Sequence, residues 1–532
     1  MRKTSRRIIP LLALVFLLAN ADTRVQTATE ASEVGRGEDA SGGVLVHFDY
    51  IEDGQLKGGV VTVPLPMTSL KTGLRIQSRW PATTLVDNGP SDNRIDLVFV
   101  GDGYTASELG DYASHVANII AGFFDEEPFA SYASYFNVHR VDVVSRESGV
   151  DEPDNGIYRD TALDMEYGCY SNPYLLCIDT DKAWAAASSA ADADLVIALA
   201  NSDRHGGAGY PDLATAGGGN YWAAGLTLHE FGHSQADLAD EYYYDGTTYT
   251  GSEPSQKNVS VYTAAEQAAL QTKWHRWLDH PGVDTYEGAY YHEYDIYRPT
   301  STSKMRSIDQ PFGPVNGERL IISFYDSISP IEDATASFPP LLPSDTLFHV
   351  TVTQPTSHSL DIQWAIDDVP VPGATDSTFR APSLSAGIHD VSVTVTDNTD
   401  QVRDTSARET RLTAMRQWQI EVSAPAQHAL TTSSTGGGIV SSPGEGVFQY
   451  DYGTSAPVTA TAQPNYHFVT WTGTAVDADK VADAGSAGTT VTMDADYTLQ
   501  ANFAIDQKTL TTSSSAGGSV TTPGEGAYPY DH

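Results

Sequence analysis

Cysteine, cations and long apolar runs are all scarce in this chain, and each shortage excludes something. Only two cysteines occur in 532 residues, Cys169 and Cys177. That number rules out a disulfide-dense scaffold and leaves room for one local bridge closing residues 170–176 in an oxidising compartment. Lysine and arginine total 30 against 69 acidic residues, for a net charge of −39. Such a surplus argues against nucleic acid and against an anionic membrane surface as partners. It provides a solvated surface by itself, and it keeps calcium open as a second cofactor, or adaptation to salty surroundings. No stretch reaches the ~20 apolar residues of a spanning helix, so no transmembrane segment is expected.

The chain begins with a basic group, Arg2, Lys3, Arg6 and Arg7, then an apolar run from Ile8 to Leu18. Ala19-Asn20-Ala21 follows as a small-residue cleavage site, so residues 1–21 read as a signal peptide. Loss of its four cations takes the net charge to −43. The mature protein is expected outside the cell, secreted or associated with a cell surface.

The densest chemistry lies in His229-Glu230-Phe231-Gly232-His233. Histidines four apart on a helix project from one face, about one turn apart. Two imidazoles so placed suit zinc, and Glu230 beside the first can serve a water as general base. Zinc needs a third protein ligand. Asp237 can adopt a left-handed backbone and turn the chain after the helix, and likeness to metzincins, whose third ligand follows such a turn by three residues, implies Asp240. A carboxylate oxygen is an acceptable zinc ligand. Glu241, one position along on a longer side chain, is its rival, and a more distant ligand stays open.

Here the chain resembles the IgA-peptidase family of secreted bacterial zinc metallopeptidases. His229 to Ser234, followed by Leu238-Ala239-Asp240-Glu241-Tyr242, is similar to that family's zinc segment. Upstream, residues 94–104 (Arg-Ile-Asp-Leu-Val-Phe-Val-Gly-Asp-Gly-Tyr) resemble its opening strand and turn. Pro128-Phe129, Tyr135-Phe136-Asn137-Val138 and residues 145–151 are similar to its next block. Lys304-Met305-Arg306 and residues 311–315 look like its closing segment, so the likeness covers about 86–330. The family usually has glycine where Asp237 stands. The resemblance implies a metzincin-like peptidase, with Met305 in a tight turn beneath the metal. It does not carry immunoglobulin A over as substrate.

Along the chain the expected organisation is multidomain: an α/β metzincin-like zinc peptidase domain followed by all-β accessory domains. Residues 22–85 form a β-rich segment with a hairpin at 44–63, whose Val44, Val46, Phe48 and Tyr50 alternate with polar residues. It could be a prodomain, although it has no cysteine to block zinc as a thiolate. The peptidase spans 86–335, with a strand at 95–100, a helix at 106–124 and strands at 138–144 and 194–200. Glycines 206–207 and 217–219 read as a mobile loop; the metzincin resemblance implies that the 194–200 strand edges a cleft for an extended peptide, and otherwise the glycine loop is only a linker. The tyrosines of 238–300 include a candidate for oxyanion stabilisation, none singled out.

Residues 340–424 suggest an immunoglobulin-like β-sandwich. Residues 427–505 resemble internalin-type B repeats. Leu430 to Ser434 and Pro443 to Gly446 recur 80 residues later, opening a truncated second repeat at 508–532 that reads as a fragment of a longer chain.

The leading expectation is a secreted zinc endopeptidase, with metal on His229, His233 and Asp240 and Glu230 as base. Its partners are protein or peptide substrates, with contact to a cell surface or glycan through the C-terminal modules. The alternatives are a surface adhesin with an inactive peptidase-like domain and a zinc amidohydrolase acting on cell-wall amides.

Overall fold

The run 195–200, Leu-Val-Ile-Ala-Leu-Ala, has no polar side chain, and it is a fully buried strand inside an eight-stranded sheet. A parallel strand covered on both faces requires such a sequence. The computed structural model describes residues 43–52, 55–64, 80–190 and 192–531, so the expected signal peptide lies outside the described residues.

The strands of this sheet are β1 (Gly43–Glu52), β2 (Gln55–Pro64), β3 (Ala82–Val86), β4 (Ile95–Asp102) and β5 (Phe136–Val141). A short hairpin of β6 (Glu166–Tyr167) and β7 (Leu176–Cys177) intervenes, and a disulfide joins Cys169 to Cys177 across it. The sheet resumes with β8 (Leu195–Ala200), β9 (Gly207–Tyr210) and β10 (Leu213–Gly217). Its order is β2-β1-β9-β10-β8-β4-β5-β3. β10, β8, β4 and β5 run parallel, while β3, β9 and the β1–β2 hairpin add antiparallel edges.

Three helices cover the faces: α1 (Leu109–Asp125), α2 (Thr180–Ala187) and α3 (Ala223–Ala236). Leu97, Phe99, Leu195, Ile197 and Leu199 pack with Val116, Ile119 and Phe123 of α1 and with Leu228 and Phe231 of α3. Their neighbours Val98, Val100, Val196 and Ala198 pack on the other face with Ala183, Ala186 and Ala187 of α2. The alternation is that of side chains along a pleated strand.

Beyond α3 comes a three-stranded sheet of β11 (Tyr243–Thr248), β12 (Val283–Ala289) and β13 (Tyr291–Thr300), with α4 (Ala264–Leu270) between its strands in sequence. α5 (Gly313–Ser327) returns Leu320, Ile321 and Phe324 to the core shared by α1 and α3.

Two expectations are corrected. The 194–200 strand does not edge a cleft, because it lies between β10 and β4. The glycine-rich stretch is not a mobile loop either: Gly207 and Gly217 belong to the buried β9–β10 hairpin, where their missing side chains let backbone and Leu226 approach. The sheet's free position beside β9 is filled by β1, so the N-terminal hairpin is part of this same sheet.

The chain divides into two compact units. The first takes the described residues to Asp333 together with Thr351–Ile362 and Thr394–Met415, and the second takes Ala334–Val350, Gln363–Val393 and the described residues from Arg416 on. In the second unit Trp364 stacks on Phe379 and Trp418 in a β-rich core. Further along, strands 427–434, 446–451, 466–472 and 497–505 form one sheet, and 438–442, 454–462 and 488–493 another. Leu430, Val458, Trp471, Val491 and Leu499 fill the core of this region. The repeat seen in sequence has a structural counterpart. Gln507–Thr512 pairs with Gly526–Asp531 in the register that Gln427–Ser434 uses with Gly446–Asp451, and Thr512 Oγ1 donates to Gly524 O as Thr432 Oγ1 does to Gly444 O. The architecture is therefore multidomain, an α/β region followed by a β-rich one. No helix among the described residues is long and apolar enough to cross a membrane.

Candidate metal centre

α3 is buried on nearly every side, which is why it lacks the one-faced apolar stripe of a surface helix. His229, Glu230 and His233 are all buried in it. His229 Nδ1 donates to Lys304 O at 3.0 Å and His233 Nδ1 to Leu238 O at 2.6 Å. A carbonyl only accepts, so both Nδ1 atoms carry the hydrogen, and each ring in its neutral form turns a lone pair outward at Nε2. The two Nε2 atoms lie 3.1 Å apart.

The chain after α3 delivers the third group. Asp237 takes the left-handed conformation expected of it (φ 50°, ψ 42°), and Leu238 N donates to Gly232 O to close the helix end. Asn258 clamps Ala239 through its side-chain amide, and Tyr290 N donates to Asp240 O. Asp240 Oδ1 thereby comes to 3.1 Å from His229 Nε2 and 3.3 Å from His233 Nε2, without a hydrogen-bond donor of its own. Its other oxygen accepts from Tyr291 Oη. Glu241 is buried too but turns away, accepting from Ser303 Oγ at 2.7 Å, Asn316 Nδ2 at 2.9 Å and Asn258 Nδ2 at 3.0 Å. The geometry thus brings Asp240 to the histidines and leaves Glu241 in the surrounding framework.

A fourth side chain arrives that sequence reading missed. Asp49 of β1 places Oδ2 3.3 Å from His229 Nε2 and 4.0 Å from His233 Nε2. Ligand atoms from Asp49, His229, His233 and Asp240 lie within 4.8 Å of one another, all buried, and could hold a metal ion. Two carboxylates and two imidazole lone pairs cannot share a buried space without positive charge among them. The donor-free oxygens Asp49 Oδ2 and Asp240 Oδ1 fit a cation. Protons reflect the same demand: burial disfavours charge on His229, yet Asp49 and Asp240 outweigh it and hold the ring well above the usual histidine range. Among the described residues no second such side-chain cluster occurs.

Glu230 lies behind the histidines, fully buried, with neither oxygen receiving a hydrogen bond. Burial first, and the Asp49 charge second, hold it well above the usual carboxyl range. Gly209 of β9 makes the room, since a Cβ there would collide with Glu230 Oε2. Met305 sits in the turn Ser303–Arg306, and a side chain at Gly232 would come within 2.8 Å of its sulfur. Gly232, between the two histidines on α3, thus lets the thioether pack directly against the helix. A cleft of about 840 Å³ opens beside His233, bordered by Leu45, His47, Tyr210 and Tyr291.

Residues 83–283 match the family model for IgA Peptidase M64. This supports a metallopeptidase at family level, metal-dependent and acting on protein. Residues 428–507 match the divergent InlB B-repeat domain. No curated protein matches the chain. Asp49 falls outside both matched segments. Its only sequence signal was the pair His47 and Asp49, polar residues on one side of a strand whose other side holds Val46 and Phe48.

Proposed function

We propose that the protein is a secreted zinc-dependent endopeptidase of metzincin-like design. The observation that carries this reading is the convergence of His229 Nε2, His233 Nε2 and Asp240 Oδ1 within about 3.3 Å, with Glu230 buried alongside. Zinc, when bound, supplies Lewis acidity, polarising the scissile carbonyl and acidifying a water. Lys304 O and Leu238 O orient the two rings, and Tyr291 holds Asp240. Glu230 takes the proton of the attacking water and passes it to the leaving amine. Met305 packs beneath the histidines and fixes their helix.

The basic, apolar and small-residue succession over residues 1–21, read as a signal peptide, supports export. The modules at 340–424, 427–505 and 508–532 would keep the enzyme near a surface, a glycan or its target, raising local concentration without chemistry of their own.

The test uses the whole chain, because the first unit draws on Thr351–Ile362 and Thr394–Met415 and a cut after 335 would divide it. Zinc-loaded protein is incubated with a mixed peptide library beside Glu230→Ala, and products are read by mass spectrometry with zinc content recorded. Slow cleavage by wild type and none by Glu230→Ala, with zinc in both, is expected. Absence of cleavage by wild type and by the hairpin variants below, with zinc bound, would refute the peptidase and favour a non-peptide amide or an adhesin.

A further inference from the structure

A catalytic zinc site has three protein ligands and one open position, whereas a structural site is closed by four. Here the fourth group is already in place. Asp49 is fully buried, its Oδ1 accepts from Tyr242 Oη at 2.8 Å, and its donor-free Oδ2 faces the histidines. It comes from outside the family-matched residues, on a hairpin added to the edge of the sheet.

That edge is where an extended substrate would pair. β1 lies antiparallel to β9, with His47 opposite Gly209, the residue against which Glu230 rests. Strand addition to a free sheet edge is a general mode of peptide binding, and β1 has taken it. The His47 ring stacks on His233 with centroids 4.0 Å apart. Three further contacts pin the hairpin: Ile51 N donates to His205 Nε2 at 2.7 Å, Gly58 N to Tyr244 Oη at 3.1 Å, and Tyr244 Oη back to Gly58 O.

We propose that the β1–β2 hairpin is a built-in inhibitor of the peptidase, with Asp49 as fourth metal ligand and β1 in the place of the substrate strand. Resting on the peptidase reading above, this assigns its regulation: the full chain is latent, and displacement or proteolytic removal of the hairpin opens the fourth position and the β9 edge together. The exchange would replace the Asp49 carboxylate by water as fourth ligand and needs no oxidant. A cysteine is dispensable for such a block, since a carboxylate serves.

Two full-length variants test it beside wild type. Asp49→Ala removes the blocking ligand. Gly58→Val leaves every ligand intact but displaces the hairpin, since a Cβ at Gly58 would collide with Phe48 O and meet Asp49 Oδ1 at 2.6 Å and Tyr242 Oη at 2.8 Å. Each protein is loaded with cobalt(II), whose visible spectrum reports coordination, and titrated with acetohydroxamate. Cleavage of a denatured protein is measured on zinc-loaded samples. Both variants should bind the hydroxamate at least ~10-fold tighter than wild type, because the closed hairpin leaves only a minor fraction competent. They should also cleave at least ~10-fold faster. Equal hydroxamate affinity in all three overturns the proposal. So does loss of cobalt from Asp49→Ala with no gain in Gly58→Val, which would make Asp49 a permanent ligand. Tighter hydroxamate binding with no cleavage supports the block by Asp49 and overturns the peptidase reading instead. If Asp49→Ala fails to fold, Gly58→Val decides.

Discussion

Asp240 and Glu241 are adjacent, both acidic and both buried, yet their removal should have opposite consequences. Glu241→Ala takes away the acceptor for Asn258 Nδ2, Asn316 Nδ2 and Ser303 Oγ. The serine hydroxyl can turn to another partner, but each asparagine keeps one amide hydrogen bonded, to Ala239 O or Phe312 O, and loses the other. A buried donor left without a partner costs about 1–3 kcal/mol, so the two together cost about 2–6 kcal/mol before any cavity is counted. That is a large share of a domain's stability, while the groups converging on the metal stay in place. Asp240→Ala, by contrast, removes an oxygen lying 3.1 and 3.3 Å from the histidine nitrogens. Groups that merely orient ligands are worth 10–100-fold in affinity, so loss of this one should weaken zinc by more than ~100-fold. Calorimetric melting of the first unit and zinc stoichiometry against a competing chelator separate the two effects. Glu241→Ala should melt much earlier and still bind one zinc, whereas Asp240→Ala should bind poorly. Zinc lost from Glu241→Ala and retained by Asp240→Ala would refute the assignment.

Three other outcomes are expected. Zinc at ~1,000 times its dissociation constant should stabilise the first unit by about 4 kcal/mol and leave the second unit's transition unmoved. Equal melting with zinc and with chelator would count against a metal centre. Gly209→Ala, made in the Gly58→Val background, should push Glu230 from its seat and lower turnover by ~100-fold with zinc still bound; unchanged turnover would show that Glu230 is not held there. The third concerns pH. Glu318 accepts from Trp277 Nε1 at 2.7 Å and from the amides of Arg403 and Asp404, but burial still holds it above the usual carboxyl range. A raised folded pKa means that folding takes up a proton, so its contribution is complete below the unfolded pKa and is lost as pH rises through the folded one. Wild type should therefore lose stability relative to Glu318→Gln over that rise, and a gap constant from pH 4 to 8 would contradict this.

What could be read from the sequence follows the range of the interaction. Strands β4 and β8 were legible because burial on both faces demands unbroken apolar runs, and the observed Ile95–Asp102 and Leu195–Ala200 differ from expectation only at their ends. α1 begins three residues later than its pattern suggested, because 106–108 form a turn in which Glu108 accepts from Thr105 N and Oγ1. The histidine pair was legible from helical spacing, and the turn at Asp237 from the residue's tolerance of positive φ. The choice between Asp240 and Glu241 was not, since it depends on Asn258, Ser303 and Asn316, which are 17, 62 and 75 residues from Glu241. The glycines misled for a related reason. In isolation they signal flexibility, but at Gly207 and Gly217 they are places where Leu226 and the Arg204 carbonyl leave no room for a side chain.

Asp49 shows the limit most clearly. A period-two pattern tells which residues of β1 share a side, and Val46 and Phe48 do pack together in the core. It cannot tell that the opposite side is covered as well, because that depends on β9 being the neighbour, about 160 residues further along the chain. A strand that buries an acid on the face expected to meet solvent must find compensating charge. For Asp49 that compensation is the Tyr242 hydroxyl on one oxygen and the metal-binding cluster on the other. The same argument explains why an otherwise small two-stranded unit holds its place. A lone hairpin is marginal in water, so docking on β9 and anchoring through Asp49 stabilise β1–β2, and whatever breaks that anchor should release the hairpin from the site as a unit.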